Sequence, residues 1–509
     1  MVNASISMIS SIATSILSFV VRTVFIKILG EQYLGLNGVF TGLLSVLSLV
    51  ELGVGPSIVF FLYKPLAEKN EVRIKSLLRL YRQLYRIIGF AIGGLGIGVL
   101  PLLPRIVGDT SFSQNVTLYY LLFLANSVVS YFFAYNRSLL IADQRGYIVT
   151  VYTLISQVAL TIVQISLLAT LANFSAYLIA QVVFTLSTNI VITQKVRRSY
   201  DFLRSSAVST VPLDKETKAQ MKKLAVGNFS NQVGWITITG VGNILIAVYV
   251  NLVAVGIYSN YSLIITVLQT ITIAASTSVT ASIGNVAVTD RGDQGLSVYR
   301  NHQFMNFVLV FFGSLLFIGI VNPFIVIWVG ESYVLNQWIV LLIGTNYFLT
   351  RLRNSSNVFI SAYGLAWKLI PKSFIETFIN LSICLILLKV TDLGIVAVVL
   401  ASIITSSLIA TPYEAYVAFR FGLKTKLSVF YHQYLIFVAA YIIGAGLISG
   451  FILIIQSFAW TNISIFILRT LASFVITLAT FLLLFSRTVQ FAYFTKLVQK
   501  YFVRKRDAS

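Results

Sequence analysis

The chain has 509 residues, of which 57% are hydrophobic and 10% are charged, and its mean hydropathy is +0.88. Soluble domains carry about 25% charged residues, so this composition excludes a soluble globular protein and predicts an integral membrane protein. The single cysteine, Cys384, excludes a disulfide framework and a cysteine-based metal site. His302 and His432 lack ligand-like spacing, so we expect no metal site.

The fold class that we predict is an all-α membrane protein with about fourteen spans, because a membrane-spanning helix needs about 20 apolar residues. The predicted spans are residues 4–28, 36–62, 87–107, 117–141, 147–170, 174–193, 226–249, 252–282, 304–328, 334–362, 370–388, 392–418, 432–456 and 463–487. The first stretch is too long for a signal peptide and lacks a cleavage motif, so we interpret it as a retained span.

Lysine and arginine concentrate in alternate loops. The loops after helices 2 and 6 and the C-terminal tail are basic, whereas the opposite loops hold little beyond Lys27, Arg105 and Lys389. Because cytoplasmic loops carry the excess of basic residues, we expect both termini in the cytoplasm. The net charge of +21 then reflects topology, and we expect no nucleic-acid partner.

Helix 1 carries a polar stripe whose members follow one another at steps of three or four residues. The stripe consists of Asn3, Ser7, Ser11, Thr14, Ser18 and Arg22. These steps keep the side chains on one helix face. The stripe either packs against another helix or lines a water-filled cavity, and the arginine favours the cavity.

Helix 2 contains an acid, two glycines and a proline within an apolar run: Glu51, Gly53, Gly55 and Pro56. A charged side chain at the bilayer centre costs roughly 2.5–3.5 kcal/mol, so Glu51 is a functional candidate. It either pairs with an arginine or binds a coupling proton or sodium ion. Pro56 cannot donate a backbone hydrogen bond and crowds the carbonyl of Leu52, so Gly53, Gly55 and Pro56 predict a gating bend.

Residues 72–88 form a basic amphipathic pattern, with arginines and a lysine beside one apolar face. Such a helix is expected to lie on the anionic inner leaflet before the chain enters helix 3.

The chain is predicted to form two lobes of six helices. We assign residues 1–193 to an N-lobe, 194–225 to a cytoplasmic linker, 226–418 to a C-lobe, and 419–509 to helices 13 and 14 and a basic tail. An Asn-x-Ser pair occurs ten residues before a glycine in both lobes, at Asn136 and at Asn354. A parallel repeat of this kind favours a substrate site between the lobes.

Two helices of the C-lobe supply the remaining candidates for substrate binding. Helix 7 begins with polar residues at helical spacing that include Asn231 and Trp235, and helix 10 carries Arg351 and Arg353 near its middle. Arg351 and Arg353 are two residues apart and point about 200° apart, so only one is expected to face a cavity. Arginine suits bidentate binding of phosphate, so a cavity lined by Arg22 and Arg351 would fit an anionic lipid.

Enzyme signatures are missing from the sequence. It has no phosphate-binding loop, glycine-rich nucleotide motif, His-Glu-x-x-His or nucleophile elbow. We therefore predict no catalytic residues and no cofactor, apart from a coupling proton or sodium ion.

Five segments, spread over about 330 residues, resemble the polysaccharide repeat-unit flippases (Wzx-like) of the multidrug/oligosaccharidyl-lipid/polysaccharide (MOP) exporter superfamily. They are Leu34-Gly35-Leu36-Asn37-Gly38, Glu51-Leu52-Gly53-Val54-Gly55, Tyr63-Lys64-Pro65-Leu66-Ala67, Ala142-Asp143-Gln144-Arg145-Gly146-Tyr147 and Ala362-Tyr363-Gly364-Leu365-Ala366-Trp367.

The resemblance implies a V-shaped pair of six-helix lobes plus two helices in a bacterial plasma membrane. It also implies alternating access through a cationic central cavity. The cargo would be an undecaprenyl-diphosphate-linked oligosaccharide, moved to the outer leaflet for capsule or exopolysaccharide assembly. Membrane lipids are expected partners, with a polysaccharide polymerase and glycosyltransferases as candidate protein partners.

Three other functions stay open at this point. A proton- or sodium-coupled multidrug exporter would share the fold, although more arginine than carboxylate in the cavity speaks against it. A membrane-embedded polymerase or glycosyltransferase would need a large external loop or a loop acid motif, and neither is visible. A scaffold would not need charges in helices 1, 2 and 10.

Overall fold

The structure is a computed structural model of the chain. It describes residues 2–51, 53–108, 115–204, 211–212, 214–221, 225, 236, 240–289, 293–455 and 461–506, and for 2–5, 56, 275–289, 293–294, 497–498 and 500–506 it describes the backbone alone. Within these ranges the regular structure is helical, and no strand occurs.

The α-helices whose bounds are described within residues 1–259 include α1 (Val2–Leu29), α2 (Glu31–Leu47), α3 (Val54–Ala67), α4 (Glu71–Gly98), α5 (Leu103–Val107), α6 (Val116–Ala142), α7 (Gly146–Leu171), α8 (Phe174–Ser199), α9 (Gly242–Tyr249) and the start of α10 (Leu252–Thr289). The later α-helices are α11 (Asp293–Trp328), α12 (Gln337–Leu352), α13 (Asn354–Ala362), α14 (Ile370–Val390), α15 (Ile395–Thr405), α16 (Thr411–Val417), α17 (Leu427–Ile455), α18 (Asn462–Phe485) and α19 (Val489–Arg506).

Twelve helical stretches in the described residues are long and apolar enough to cross a membrane. This confirms the all-α membrane fold. Two of the predicted spans are not among the twelve. Residues 226–249 fall largely outside the described residues, and residues 334–362 are divided into α12 and α13 at Arg353.

The chain divides into two compact units, Met1–Ser259 (unit 1) and Asn260–Ser509 (unit 2). The predicted lobes place their boundary in the linker at 194–225, so the two divisions differ. Residues 240–259 belong with unit 1 because they pack closely against α2. The predicted domain limits stay a prediction.

Small residues bring α2 against α9 and the start of α10 within unit 1. A Cβ atom added at Gly35 would lie 1.9 Å from the carbonyl oxygen of Leu252. One added at Gly42 would lie 2.6 Å from the carbonyl oxygen of Gly240. Close backbone approach through small residues is the usual way in which membrane helices gain packing contacts.

Unit 2 is built around α11. The rings of Phe307 on α11 and Phe437 on α17 stack with centroids 4.0 Å apart, and Phe485 on α18 lies 5.1 Å from Phe307. A Cβ atom at Gly319 would meet the hydroxyl oxygen of Ser473 on α18 at 1.9 Å. The last two spans, α17 and α18, are therefore packed tightly into unit 2.

The predicted surface helix at 72–88 is the first part of α4, which continues without a break to Gly98. Its apolar residues are buried within the protein, with exposed fractions of 1–7%: Ile74, Leu77, Leu78, Tyr81, Tyr85 and Ile88. The prediction that this face lies on the inner leaflet is wrong, because amphipathicity alone does not separate a lipid surface from a protein interior.

The described part of the predicted linker docks on α4. The backbone N–H of Val211 donates to the hydroxyl of Ser76 at 2.8 Å, and Arg73 lies 3.7 Å from the carboxylate of Asp214. The backbone N–H and hydroxyl of Thr217 bind the same carboxylate at 2.8 and 2.7 Å. These hydrogen bonds hold the pKa of Asp214 below its usual value.

Candidate functional site

The second predicted span is interrupted in its middle. After α2 ends at Leu47, residues Ser48–Glu51 form a 3-10 helix, and Gly53 has φ = +68° before α3 begins at Val54. This left-handed conformation is open to glycine at little cost, so Gly53 allows the break. Pro56 lies in the first turn of α3, where its missing N–H removes no helical hydrogen bond. The predicted bend is present, it starts at Gly53 rather than at Pro56, and its gating role stays a prediction.

Neutral hydrogen-bond donors surround the carboxylate of Glu51. The hydroxyl of Tyr85 donates to Oε1 of Glu51 at 3.1 Å, and the backbone N–H of Gly55 and the hydroxyl of Tyr131 lie close to the carboxylate. The rings of Tyr85 and Tyr131 stack with centroids 6.4 Å apart. No lysine or arginine pairs with Glu51 in the described ranges, so the predicted arginine partner is not found there.

The Glu51 site spans the break between the two helices. Glu51 ends the 3-10 helix, while Gly55 belongs to the first turn of α3, so their close contact spans the two sides. A Cβ atom at Gly55 would lie 3.0 Å from Oε1 of Glu51 and 3.2 Å from the hydroxyl of Tyr85. Glycine therefore leaves room for the carboxylate and hydroxyl to meet.

Arg22 lies near the end of α1 and is half-buried in unit 1. Its guanidinium donates to the hydroxyl of Ser259 at 2.7 Å and lies close to Tyr177 of α8.

The serines of the predicted stripe behave differently from the arginine. Ser11 and Ser18 donate to the carbonyl oxygens of Ser7 and Thr14, four residues back in the same helix. Their hydroxyls are therefore satisfied without a partner helix or a cavity.

Arg353 is part of a buried network of four charged side chains in unit 2, together with Lys372, Glu376 and Glu414. Arg353 pairs with Glu414 and lies 3.6 Å from Glu376, and Lys372 binds each carboxylate at 2.8 Å. The side-chain amide of Asn357 donates to Glu414 at 2.9 Å. Two positive and two negative charges make the network neutral. The charge of Arg353 is therefore balanced by carboxylates of the protein itself.

Arg351 contrasts with Arg353. Asn306 donates to its carbonyl oxygen at 2.8 Å, which anchors the backbone to α11, but the buried Nε of Arg351 has no hydrogen-bond partner in the described residues. No carboxylate there pairs with it either. Of the two predicted arginines, Arg351 is the one that keeps its charge available.

The other two predicted binding residues, Asn231 and Trp235, lie outside the described residues.

Sequence reasoning missed the partners of the charged groups. Two signals for the network were available: the intramembrane positions of Glu376 and Glu414, and the spacing of Lys372 and Glu376 at i and i+4. Tyr85 and Tyr131 gave no signal, because tyrosines are common in membrane spans.

The family comparison places the chain among known proteins. A family model described as "Polysaccharide biosynthesis protein" matches residues 1–281. A comparison with curated proteins gave no match.

Solved transporter structures share the fold at low sequence identity. The lipid II flippase MurJ in an inward closed conformation is 15% identical, with a TM-score of 0.67 over 94% of this chain and 98% of that one. An inward-facing multidrug resistance MATE family transporter of the MOP superfamily is 12% identical, with a TM-score of 0.63 over 79% of this chain and 93% of that one. A MOP superfamily transporter from Pyrococcus furiosus, described as having a binding pocket of reverse polarity, is 13% identical, with a TM-score of 0.59 over 83% and 95% of the two chains.

At these identities the solved structures show the fold alone. The family model, in contrast, matches more than half of the sequence and shows the family. The chain therefore belongs to the polysaccharide biosynthesis protein family, in agreement with its sequence resemblance to the Wzx-like flippases.

Proposed function

We propose that the protein moves undecaprenyl-diphosphate-linked oligosaccharide repeat units from the inner to the outer leaflet of a bacterial plasma membrane, for capsule or exopolysaccharide assembly. The observation that carries the proposal is the family match over residues 1–281, a region that includes the intramembrane Arg22. The fold shared with the lipid II flippase supports a lipid-linked cargo. Cytoplasmic termini and alternating access through a cationic cavity are parts of the same proposal.

Arg22 and Arg351 are the proposed diphosphate-binding residues. A guanidinium offers paired N–H donors that match phosphate oxygens, and such charge-assisted bonds are strong where water is scarce. The hydroxyl of Ser259 orients Arg22 at 2.7 Å, and Asn306 fixes the backbone of Arg351 at 2.8 Å. Arg353 is left out of this role, because Glu376 and Glu414 already bind it.

Glu51 is the proposed coupling site, and its surroundings favour a proton over a sodium ion. Tyr85 donates to the carboxylate, and the N–H of Gly55 and the hydroxyl of Tyr131 are neutral donors beside it, so among the described residues the site offers a cation no oxygen ligand of a second acid. Protonation would weaken the charge-assisted bond from Tyr85 and the attraction between the carboxylate and the N–H of Gly55 across the helix break. A change in the protonation of Glu51 would thereby alter the orientation of α3 relative to the 3-10 helix.

Export of the lipid-linked sugar tests the binding role. We expect Arg22→Ala and Arg351→Ala each to lower export about tenfold or more, since a hydrogen bond to a charged group is worth roughly 1.5–3 kcal/mol. The measurement is the amount of undecaprenyl-diphosphate oligosaccharide retained in the inner leaflet of cells that carry each variant as the sole copy, at matched protein levels.

Arg82→Ala is the matched control, because Arg82 is an exposed arginine on α4. It should leave export unchanged. Normal export in both Arg22→Ala and Arg351→Ala would contradict the proposed binding residues.

A proton- or sodium-coupled multidrug exporter is the second candidate, favoured by the fold shared with the MATE transporter. It predicts that cells lacking the protein become sensitive to cationic dyes while their lipid-linked sugars stay unchanged. A polysaccharide polymerase or glycosyltransferase is less favoured, because the similar solved structures are transporters.

A further inference from the structure

A cavity of about 610 Å³ lies within unit 2, between α11, α12, α17 and α18. That volume falls in the range of roughly 300–1,000 Å³ that is typical of small-molecule sites. Its walls are mostly apolar and include Val326, Leu341, Ile452 and Ile465. Among the described residues of its lining, Arg469 is the one that carries a charge.

The position of the cavity is near one end of the four helices. Its lining includes Asn336, Gln337 and Trp338, where α12 begins, and Asn462, the first residue of α18. Trp338 is 72% exposed, and tryptophan is enriched where membrane helices meet the headgroups. Arg469 is seven residues further along α18 than Asn462, which places it about 10 Å below the start of the helix. The cavity therefore reaches from the headgroup level toward the hydrocarbon.

Arg469 is buried, with an exposed fraction of 6%, so it does not extend to water as a snorkelling arginine would. Its Nε has no hydrogen-bond partner in the described part of the chain, and no carboxylate there pairs with it. The connection between α17 and α18, residues 456–461, contains no aspartate or glutamate. A buried cation without a partner calls for an anion in its cavity.

Two of the neutral polar side chains in the lining, Asn322 and Gln337, are held by hydrogen bonds within the protein. Asn322 donates to the carbonyl oxygen of Leu335 at 2.9 Å and to the side chain of Gln337 at 3.2 Å. Gln337 in turn donates to the carbonyl oxygen of Ile318 at 3.0 Å. With these two amides engaged, the guanidinium of Arg469 is the charged group of the described lining that is available for recognition.

We propose that this cavity binds an anionic phospholipid of the bilayer, with the lipid phosphate on Arg469 and an acyl chain along Ile452 and Ile465. A phosphodiester carries one negative charge, which matches one arginine, whereas a diphosphate carries more charge than this lining balances. The apolar walls fit an acyl chain and exclude a soluble anion. This lipid site goes beyond the proposed transport role and does not depend on it.

Native mass spectrometry of the full chain, released from nanodiscs of defined composition, tests the site. We expect the wild type to retain phosphatidylglycerol in preference to phosphatidylcholine. Arg469→Gln should weaken phosphatidylglycerol retention about tenfold or more, because it removes charge-assisted bonds. Arg469→Lys should keep most of the preference, and Arg82→Gln on the exposed face of α4 should leave it unchanged.

A second variant keeps the test decisive if Arg469→Gln does not fold. Ser449→Phe narrows the cavity at a half-buried position and leaves Arg469 in place, and it should also lower retention. Equal retention of the two lipids by the wild type, or unchanged retention in both Arg469→Gln and Ser449→Phe, would overturn the proposal. Displacement of phosphatidylglycerol by equimolar undecaprenyl diphosphate would also overturn it, since the cavity would then belong to the cargo lipid.

Discussion

The two units both hold carboxylates inside membrane-spanning helices, but they satisfy them in opposite ways. In unit 1, Glu51 accepts a hydrogen bond from the hydroxyl of Tyr85, and its other close neighbours, the hydroxyl of Tyr131 and the N–H of Gly55, are also neutral. In unit 2, Glu376 and Glu414 are bound by the cations Lys372 and Arg353. The first arrangement leaves a net charge that a proton can remove, whereas the second is already neutral.

This difference separates a carboxylate that can change its protonation state from a charge network that stabilises the fold. Removing the charge of Glu51 changes only hydrogen bonds to neutral groups, so both protonation states can be accommodated. Removing one charge from the unit 2 network leaves the opposite charges buried without a partner, which destabilises the folded protein. The same residue type, glutamate in a membrane helix, therefore has different consequences that depend on its neighbours.

The largest effect should come from opening the unit 2 network. We expect Glu414→Ala to destabilise the protein by about 3–5 kcal/mol, because Arg353 and Lys372 both lose a carboxylate inside the protein. The measurement is thermal unfolding in detergent, together with the level of folded protein in the membrane.

Glu68→Ala is the matched control for Glu414→Ala. Glu68 pairs with Lys64 at 3.8 Å on an exposed surface, so its loss should cost less than about 1 kcal/mol. Equal stability of the two variants would show that the unit 2 network does not stabilise the fold as its geometry indicates.

A smaller effect should come from the helix break beside Glu51. Gly53→Ala places a Cβ on a residue with φ = +68°, which should cost about 1–2 kcal/mol. Gly94→Ala is the control, because Gly94 lies in α4 with no atom within 4 Å of an added Cβ and should gain up to about 1 kcal/mol. If Gly53→Ala is neutral in thermal unfolding, the left-handed break is not fixed in the folded protein.

Much of the fold could be predicted from sequence because membrane spans are set by length and hydropathy alone. Twelve of the predicted spans correspond to helices in the described residues. The break in helix 2 was also visible, since glycine and proline act locally on the backbone. The surface helix at 72–88 was misjudged, because a protein interior and a lipid surface select the same apolar face.

The candidate site was predicted less completely, because its contacts join residues far apart in the chain. Glu51 and Tyr85 are 34 residues apart, and Arg353 and Glu414 are 61 apart. Sequence spacing orders side chains on one helix but does not say which helices are neighbours. Thus Arg351 and Arg353 could be recognised as facing different ways, while the carboxylates that separate their roles could not.

The smallest effect on stability, and the sharpest on function, should come from Glu51→Gln. Glutamine keeps a carbonyl oxygen for one tyrosine, so we expect a stability change within about 1 kcal/mol. Transport driven by an imposed pH gradient should lose its response to that gradient, because the amide cannot take up the proton. Tyr85→Phe should retain a response, since the carboxylate remains, and Tyr120→Phe, which removes a hydroxyl bound to the carbonyl of Gly96 at 3.0 Å, should resemble the wild type. A pH response that persists in Glu51→Gln would move the coupling site elsewhere, and Glu51 would then serve only to hold the two sides of the helix break together.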